Sequence, residues 1–212
     1  MAVNFRDRTI ADFKSRLTGG GARPNLFEVA MTFPRIATGG GVTGTEGSSG
    51  DATPEDEMRY MVKAAELPAS NIGDIPLNFR GRILHVAGDR TFDPWTITII
   101  NNTDWALREK FENWSQAIND RTFDSGVTSP NIYQTNATVF QLARSNKKGT
   151  AELKDKMIPV LASYKFFGLY PTTISSIPLD YGSTDTIEEF QVTFQVERWE
   201  PSYEDKWENN AK

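Results

Sequence analysis

The sequence predicts an α+β domain that is predominantly antiparallel β: a sheet curled into a small β-barrel or sandwich, with one flanking α-helix and a short N-terminal helix. Three observations lead to this fold class. Several segments alternate apolar and polar residues, as strands with one wet face do, and Phe190–Val196 alternates throughout. One longer segment repeats apolar residues at helical spacing. The 212 residues also include 13 Phe, 6 Tyr and 5 Trp, which supply large side chains for a core.

The short N-terminal helix is predicted from three apolar residues whose spacings of three and four place them on one helix face. These residues are Ile10, Phe13 and Leu17. Thr9 and Asp12 have the spacing of an N-cap pair, and Gly19–Gly21 is expected to stop the helix. The sequence therefore predicts a short amphipathic helix ahead of the first strand.

The first strand is predicted over Leu26–Phe33, and Pro34 ends it. Residues 38–53 are rich in Gly and poor in apolar side chains, which indicates a mobile insertion. The pattern over Met58–Ala64 predicts a second strand. We expect it to pair back onto the first strand as a hairpin whose tip is the Gly-rich insertion.

A long β-rich stretch follows. Ile75–Val86 is predicted to be one strand, and a change of phase at Gly81 indicates a bulge or a sharp bend within it. Trp95–Ile99 alternates strictly and is predicted as the next strand. A turn is expected between the two, held by charge and by aromatic packing. The residues expected to hold this turn are Asp89, Arg90, Phe92 and Trp95.

The flanking helix is predicted where apolar residues recur at spacings of four, three and four. These residues are Leu107, Phe111, Trp114 and Ile118. Residues just before the helix have side chains suited to cap it. They are Asn102, Thr103 and Asp104. The predicted helix is long enough to cover one open face of a sheet.

Three later strands complete the prediction. Two of them span Ala137–Ala143 and Met157–Leu169, and a turn at Ser145–Gly149 joins them. The last strand, Phe190–Val196, places its Phe and Val side chains on one face and its polar side chains on the other. The chain after Glu200 is predicted to be a polar tail.

The charge distribution supports this division of the chain. Residues 1–200 are predicted to form a single domain that carries the Gly-rich insertion, and residues 201–212 a polar acidic tail. The net charge is −5, and residues 185–212, with 3 basic and 8 acidic side chains, account for all of it. The preceding part of the chain is neutral. A neutral body argues against strong binding to nucleic acid, which needs clustered Lys and Arg.

Few residues suit catalysis. The chain has no Cys, which excludes disulfides, thiolate metal sites and cysteine nucleophiles. The one His, His85, lies inside a predicted strand, and no Gly-x-Ser-x-Gly motif accompanies it. Gly39–Gly44 matches the dinucleotide fingerprint, but no apolar helical stripe follows it. We therefore expect no enzyme activity, no metal and no cofactor. An enzyme that uses His85 and a DNA-binding module are the alternatives from other classes.

An ordered set of fragments resembles the tail tube proteins of T-even-like contractile-tailed bacteriophages. The resemblance covers about residues 22–200, and the fragments occur in the family's order. They are Ala22–Val29, Lys63–Ala69, Val86–Ile99, Lys110–Trp114, Gly168–Thr172, Glu189–Phe194 and Trp199-Glu200. The type VI secretion tube protein shares this architecture.

The resemblance implies a structural subunit of the phage tail tube. Six copies would form a ring, and rings would stack into a tube inside a contractile sheath to form the conduit for DNA ejection. Implied partners are further copies of the chain, the tail sheath protein, and the baseplate and tail-terminator proteins, with transient passage of DNA and no membrane binding. The implied location is the virion tail, assembled in the bacterial cytoplasm. A baseplate tube-initiator or a type VI secretion-like tube protein is the alternative within this fold.

Two sets of residues are the candidate site. The first is expected at a subunit interface or in a structural turn within one subunit. It consists of Arg23, Pro24, Asn25, Asp89, Arg90, Phe92 and Trp95. The second is the polar side of the last strand, which would face the aqueous lumen of a tube. It consists of Gln191, Thr193 and Gln195.

Overall fold

The computed structural model of the protein describes residues 9–17, 21–38, 54–122, 125–144 and 160–202. The helices are α1 (Ile10–Arg16), α2 (Pro54–Met61), α3 (Ala106–Ile118) and α4 (Pro130–Tyr133), and a 3₁₀ turn spans Arg35–Thr38. The strands are β1 (Phe27–Met31), β2 (Val62–Ala65), β3 (Ser70–Phe79), β4 (Arg82–Phe92), β5 (Trp95–Ile100), β6 (Thr135–Leu142), β7 (Val160–Ile174), β8 (Glu189–Gln195) and β9 (Arg198–Ser202). The fold is mostly antiparallel β-sheet with few helices, as the sequence predicts.

Seven strands form the main sheet. Its neighbours run in the order β1-β6-β7-β8-β5-β2, every pairing is antiparallel, and β9 pairs with β7. The end strands β1 and β2 have no pairing with each other among the described residues. The described strands therefore leave the sheet open, and they do not close into the barrel that is one of the two predicted forms.

The long strand β7 joins the two halves of this sheet. It pairs with β6 as far as Leu169 and with β8 from Tyr170 onward. Gly168 precedes this change and has a φ of +66°, a conformation that L side chains rarely adopt. A Cβ at this position would also lie 2.8 Å from the Cβ of Glu197. The course of β7 from one half of the sheet to the other therefore requires glycine at this position.

One hydrophobic core lies between the two halves of the sheet. The indole of Trp95 on β5 stacks on the ring of Phe166 on β7, with 4.5 Å between ring centroids. Buried residues from β1, β2, β5, β6, β7 and β8 belong to the same cluster. The strand residues of this cluster are Val29, Met31, Val62, Trp95, Ile97, Ile99, Ala137, Val139, Phe166, Leu169, Phe190, Val192 and Phe194. The strict alternation predicted for β5 and β8 is confirmed.

Helix α3 covers one side of this core. Leu107, Phe111 and Trp114 are buried, and the ring of Phe111 lies against Phe190 and Phe194 of β8. The predicted apolar stripe is confirmed. The N-cap residue is Trp105 and not one of the three predicted residues; it has a left-handed conformation and makes no side-chain cap hydrogen bond. The predicted residue Asp104 does bond the helix start, because its carboxylate accepts from the backbone N–H of Ala106 at 3.2 Å.

The prediction for Met58–Ala64 was wrong. Most of this segment belongs to α2, and the short strand β2 that follows pairs with β5 rather than with β1. Pro54 explains where the helix begins, because the fixed φ of Pro fits a first helical turn. Met58 from α2 is fully buried in the core.

The predictions for residues 75–90 also need correction. Ile75–Val86 is a hairpin of β3 and β4, because Arg80 and Gly81 form a two-residue turn with φ values of +46° and +79°. Asp89 and Arg90 lie within β4 and not in a turn between strands. The chain turns instead at Asp93 and Pro94, between β4 and β5.

Other predictions concern the ends of the described ranges. Residues 39–53 and the Ser145–Gly149 turn lie outside the described residues, so the mobile insertion and that turn stay predictions. The segment predicted as a tail from Glu200 begins inside β9, which pairs with β7 through Ser202. Among the described helices, none combines the length and the apolar character needed to cross a membrane.

Candidate assembly surfaces

The hairpin of β3 and β4 stands apart from the main sheet. Its two strands form a separate two-stranded sheet in the described chain. Cross-strand partners share one face of a sheet, so the register defines what each face carries. A two-stranded hairpin is at best marginally stable in water without packing against another element.

One face of the hairpin is almost wholly apolar. Partners on this face pair Ile75 with Val86, Leu77 with Leu84, and Phe79 with Arg82 at the tip. We call it the apolar arm face, and its apolar members are Ile75, Leu77, Phe79, Leu84 and Val86. Their side chains are between 41% and 67% exposed. A contiguous patch of this kind on a protein surface marks an interaction site.

The opposite face of the hairpin is more polar. It pairs Asp74 with Ala87, Pro76 with His85, and Asn78 with Ile83. Nδ1 of His85 lies 2.6 Å from Oδ2 of Asp74, and both side chains are more than half exposed. The single His of the chain thus belongs to an exposed cross-strand pair. In the described part of the chain, no group of three or more His, Cys, Asp and Glu side chains could hold a metal ion.

Helix α1 carries a second apolar surface that is exposed in the described chain. Its capping box is complete, because the Thr9 hydroxyl accepts from the Asp12 backbone N–H and the Asp12 carboxylate accepts from the Thr9 backbone N–H. The hydrogen bonds from Thr9 lower the pKa of Asp12. The predicted N-cap pair is confirmed. The apolar stripe is exposed by 76% at Ile10, 63% at Phe13 and 44% at Leu17.

The polar face of the main sheet contains the lumen candidates. Gln191, Thr193 and Gln195 lie on the side of β8 that faces away from the core. The register pairs Thr193 with Thr96 of β5 and with Thr173 of β7. The Oγ1 atoms of Thr96 and Thr193 lie 3.1 Å apart. Three strands thus bring uncharged polar side chains together on one surface.

A charged pair lies at one end of these rows. Thr98 lies opposite Gln191, and Ile100 lies opposite Glu189. The carboxylate of Glu189 forms a salt bridge with Lys63 of β2. The rows of Thr and Gln on β5 and β8 next to this pair carry no acid or base.

The first three candidate interface residues form a local turn. Arg23, Pro24 and Asn25 are exposed and directly precede β1. The backbone N–H of Leu26 donates to the carbonyl of Arg23. The Gln141 side-chain amide of β6 donates to the same carbonyl at 2.7 Å. The contacts shown are those of a structural turn that fixes where β1 begins.

The other candidates lie at the base of the hairpin. Trp95 is buried in the core, and its Nε1 donates to the carbonyl of Glu66 at 2.7 Å. The ring of Phe92 packs edge-on against Trp199 of β9. Arg90 and Asp89 are exposed strand residues of β4. Phe92 and Trp95 therefore anchor the hairpin to the body of the subunit.

Sequence reasoning missed the apolar arm face. Its signal was the change of phase at Gly81, which was interpreted as a bulge. In a hairpin with a two-residue turn, the residue numbers of two cross-strand partners sum to an odd number. Apolar residues on one face therefore lie at odd positions in the first strand and at even positions in the second. Leu77 and Leu84 follow this rule. The same phase change therefore indicates a hairpin with one apolar face.

Comparison with known proteins places these surfaces in context. Residues 22–202 match the sequence model of a family described as phage tail tube protein. The chain is 32% identical over 196 residues to the tail tube protein gp19 of Enterobacteria phage T4, covering 92% of this chain and 99% of that one. It is 23% identical over 184 residues to the tail tube protein of Serratia phage KSP90, covering 86% and 90%.

Solved structures share the fold. A chain from the sheath-tube complex of an extracellular contractile injection system in its extended state aligns with a TM-score of 0.51 at 12% identity, covering 89% of this chain and 96% of that one. A chain of the anti-feeding prophage baseplate aligns with a TM-score of 0.52 at 10% identity, covering 86% and 95%. The family match and the T4 relative both span most of the sequence, and the chain belongs to the phage tail tube protein family.

Proposed function

We propose that the chain polymerises as hexameric rings that stack into a hollow tube, and that this tube lies inside a contractile sheath and conducts DNA during ejection. As a member of the phage tail tube family, the chain is a structural component of the virion. The proposal concerns how the subunit builds that structure. The apolar arm face is the observation that carries it.

The apolar arm face favours assembly because no described residue covers it and contact with another copy of the chain would bury it. Burying one Leu, Ile, Val or Phe side chain contributes about 1.5–3 kcal/mol. Five such side chains are exposed together on this face. A second copy of the chain is the partner that a homopolymer supplies at every position. The hairpin is therefore proposed as the arm that links neighbouring subunits.

The open sheet supports the ring. Strands β1 and β2 end the path of the main sheet, and an unpaired strand edge favours pairing with another chain. Closure of a sheet into an annulus removes such edges. Six subunits joined at their sheets would form a shared inner barrel, which is the arrangement that the resemblance in sequence implies.

The polar face supports the bore. We propose that Gln191, Thr193 and Gln195 face the lumen, together with Thr96 and Thr173 beside them. A lining without Lys or Arg clusters would bind phosphates weakly, and DNA could then slide. The charged pair beside these residues, Lys63 with Glu189, is neutral as a pair.

Partners beyond the chain itself are proposed from the relatives. The solved structures of similar fold come from a sheath-tube complex, a baseplate and a sheath/tube terminator. We propose that this subunit likewise contacts a tail sheath protein, a baseplate and a tail terminator. A structural role is favoured over catalysis, since the only His forms an exposed pair with Asp74 on the hairpin.

Negative-stain electron microscopy of the purified chain tests the proposal. We expect long hollow tubes of constant width, with sixfold symmetry in end views. A chain that stays monomeric at high concentration would overturn the proposal. Tubes with a different rotational symmetry would overturn the hexameric ring alone.

A further inference from the structure

We propose that α1 of one subunit packs on the apolar arm face of a neighbouring subunit. This inference rests on the proposed function, because it needs a second copy of the chain beside the first. It names which surface of that copy covers the hairpin. The interface would consist of Ile10, Phe13 and Leu17 from one chain against Ile75, Leu77, Phe79, Leu84 and Val86 from the other.

The first argument is the shortness of α1. It has seven residues, and isolated helices shorter than about 12–15 residues are marginal in water. Every residue of the helix is exposed in the described chain. The helix has a complete capping box, but none of its residues is buried. Packing against the surface of another subunit would supply the stability that so short a helix lacks by itself. Its exposed apolar stripe is the face that such a surface would cover.

The second argument is that the hairpin also lacks a packing partner among the described residues. It is a two-stranded sheet with one bare apolar face, and packing against a helix is one of the ways in which such a sheet becomes stable. Each copy of the chain carries one α1 and one hairpin. The two surfaces are therefore matched one to one in any homopolymer.

The dimensions of the two surfaces also agree. From Ile10 to Leu17 the helix rises about 10 Å at its usual 1.5 Å per residue. From Ile75 to Phe79 the strand advances about 13 Å at its usual 3.3 Å per residue. A single short helix can therefore lie along most of the length of the apolar rows.

The rival occupant is the loop between β7 and β8. It exposes Leu179, Tyr181 and Ile187. These side chains lie in an irregular segment. Unlike α1, this segment has no helix or strand that packing against another surface would stabilise. Helix α1 is preferred because it presents its apolar residues as one ordered stripe.

The absence of Cys from the sequence makes a direct test available. Two full-length single-cysteine variants, Phe13→Cys and Leu77→Cys, are purified separately, mixed, assembled and mildly oxidised. A disulfide between them can form only between chains. Non-reducing electrophoresis measures the heterodimer, which mass spectrometry of the linked peptides identifies. The same samples are imaged for tubes.

A matched control uses the other face of the hairpin. Ile83 is 59% exposed, close to the exposure of the residues on the apolar arm face, but it lies on the opposite face. Because a disulfide needs Cβ atoms within about 4.5 Å, we expect about tenfold more heterodimer from Phe13→Cys with Leu77→Cys than from Phe13→Cys with Ile83→Cys. A second pair, Ile10→Cys with Leu84→Cys, tests the same contact if either first variant fails to assemble.

The outcomes separate the inference from the proposed function. Tubes that give the heterodimer support both. Tubes in which neither pair links above the Ile83→Cys control overturn the inference and leave the proposed function standing. Tubes in which Leu179→Cys links to Leu77→Cys instead assign the face to the rival loop and overturn the inference. A wild-type chain that forms no tubes overturns the proposed function, and the inference with it.

Discussion

Leu77 and Leu84 face each other across the β3–β4 hairpin, on the side that nothing in the described chain covers. Their exposed fractions are 49% and 60%. Neither side chain belongs to the buried core, which lies between the halves of the main sheet and under α3. The proposed assembly would therefore use apolar residues that the subunit does not bury on folding, and substitutions can separate the two.

The first prediction concerns this pair. Leu84→Asn should raise the concentration needed for tube assembly about 10- to 100-fold, because one buried Leu contributes about 1.5–3 kcal/mol to an interface. The thermal unfolding of the monomer should be almost unchanged, since Leu84 is exposed there. Sedimentation of tubes over a concentration series measures the first quantity, and circular dichroism measures the second.

Ile83→Asn is the control for this prediction. Ile83 is as exposed as Leu84 but points to the other face of the hairpin. We expect it to assemble near the wild-type concentration. Equal effects from the two variants would contradict a specific role for the apolar arm face.

The second prediction concerns the cap of α1. Thr9→Ala removes the hydroxyl that accepts from the Asp12 backbone N–H, and loss of such a cap costs about 1 kcal/mol. If α1 forms part of the interface, assembly should require about fivefold more protein. Thr9→Ser keeps the hydroxyl and should assemble like the wild type. The same concentration series is the readout, and no difference between Ala and Ser at this position would argue against α1 in the interface.

The third prediction concerns the aromatic core. Trp95→Ala should lower the free energy of unfolding by about 3–5 kcal/mol, because the indole is buried against Phe166. It also loses the hydrogen bond to the carbonyl of Glu66. Urea unfolding measures the change. Tyr181→Ala, at a fully exposed ring, should stay within about 0.5 kcal/mol of the wild type. A small effect at Trp95 would contradict its place in the core.

The fourth prediction concerns the bend in β7. Gly168→Ala should destabilise the fold by about 1–3 kcal/mol, because its φ is positive and a Cβ there meets the side chain of Glu197. Gly182→Ala is the control, since a Cβ there makes only ordinary contact with Asp180. Unfolding in urea compares the two. A tolerated alanine at 168 would show that β7 can join the two halves of the sheet without glycine.

The fifth prediction concerns the proposed bore. Gln191→Lys should give tubes that retain DNA, because each added Lys can neutralise a phosphate. The amount of DNA retained should fall steeply as the salt concentration rises. Gln191→Glu should give tubes that do not retain it. Co-sedimentation of DNA with tubes over a salt series makes the comparison. Equal behaviour of the two variants would contradict a lumenal position for Gln191.

The sequence predicted those parts of the fold whose signal is local. The stripes of α1 and α3 and the alternation of β5 and β8 are periodic within a few residues, and each was confirmed. Which strand pairs with which was harder, because pairing depends on segments far apart in the chain. Val62 follows α2 in sequence, yet it lies opposite Ile99 of β5.

The contacts of the candidate residues depend on the same long-range pairing. Trp95 is predicted to lie at a subunit interface or in a structural turn, and its ring stacks on Phe166, far along the chain. The apolar arm face was missed because its two strands were interpreted as one. The positive φ values at Arg80 and Gly81 show that this change of phase is a two-residue hairpin turn.

Cryo-electron microscopy of tubes assembled from the full chain tests the central claim most directly. The account predicts that Ile75, Leu77 and Leu84 of every subunit are buried under a neighbouring copy, while Gln191 and Thr193 line the bore. A tube in which the apolar arm face remains exposed to solvent would contradict it.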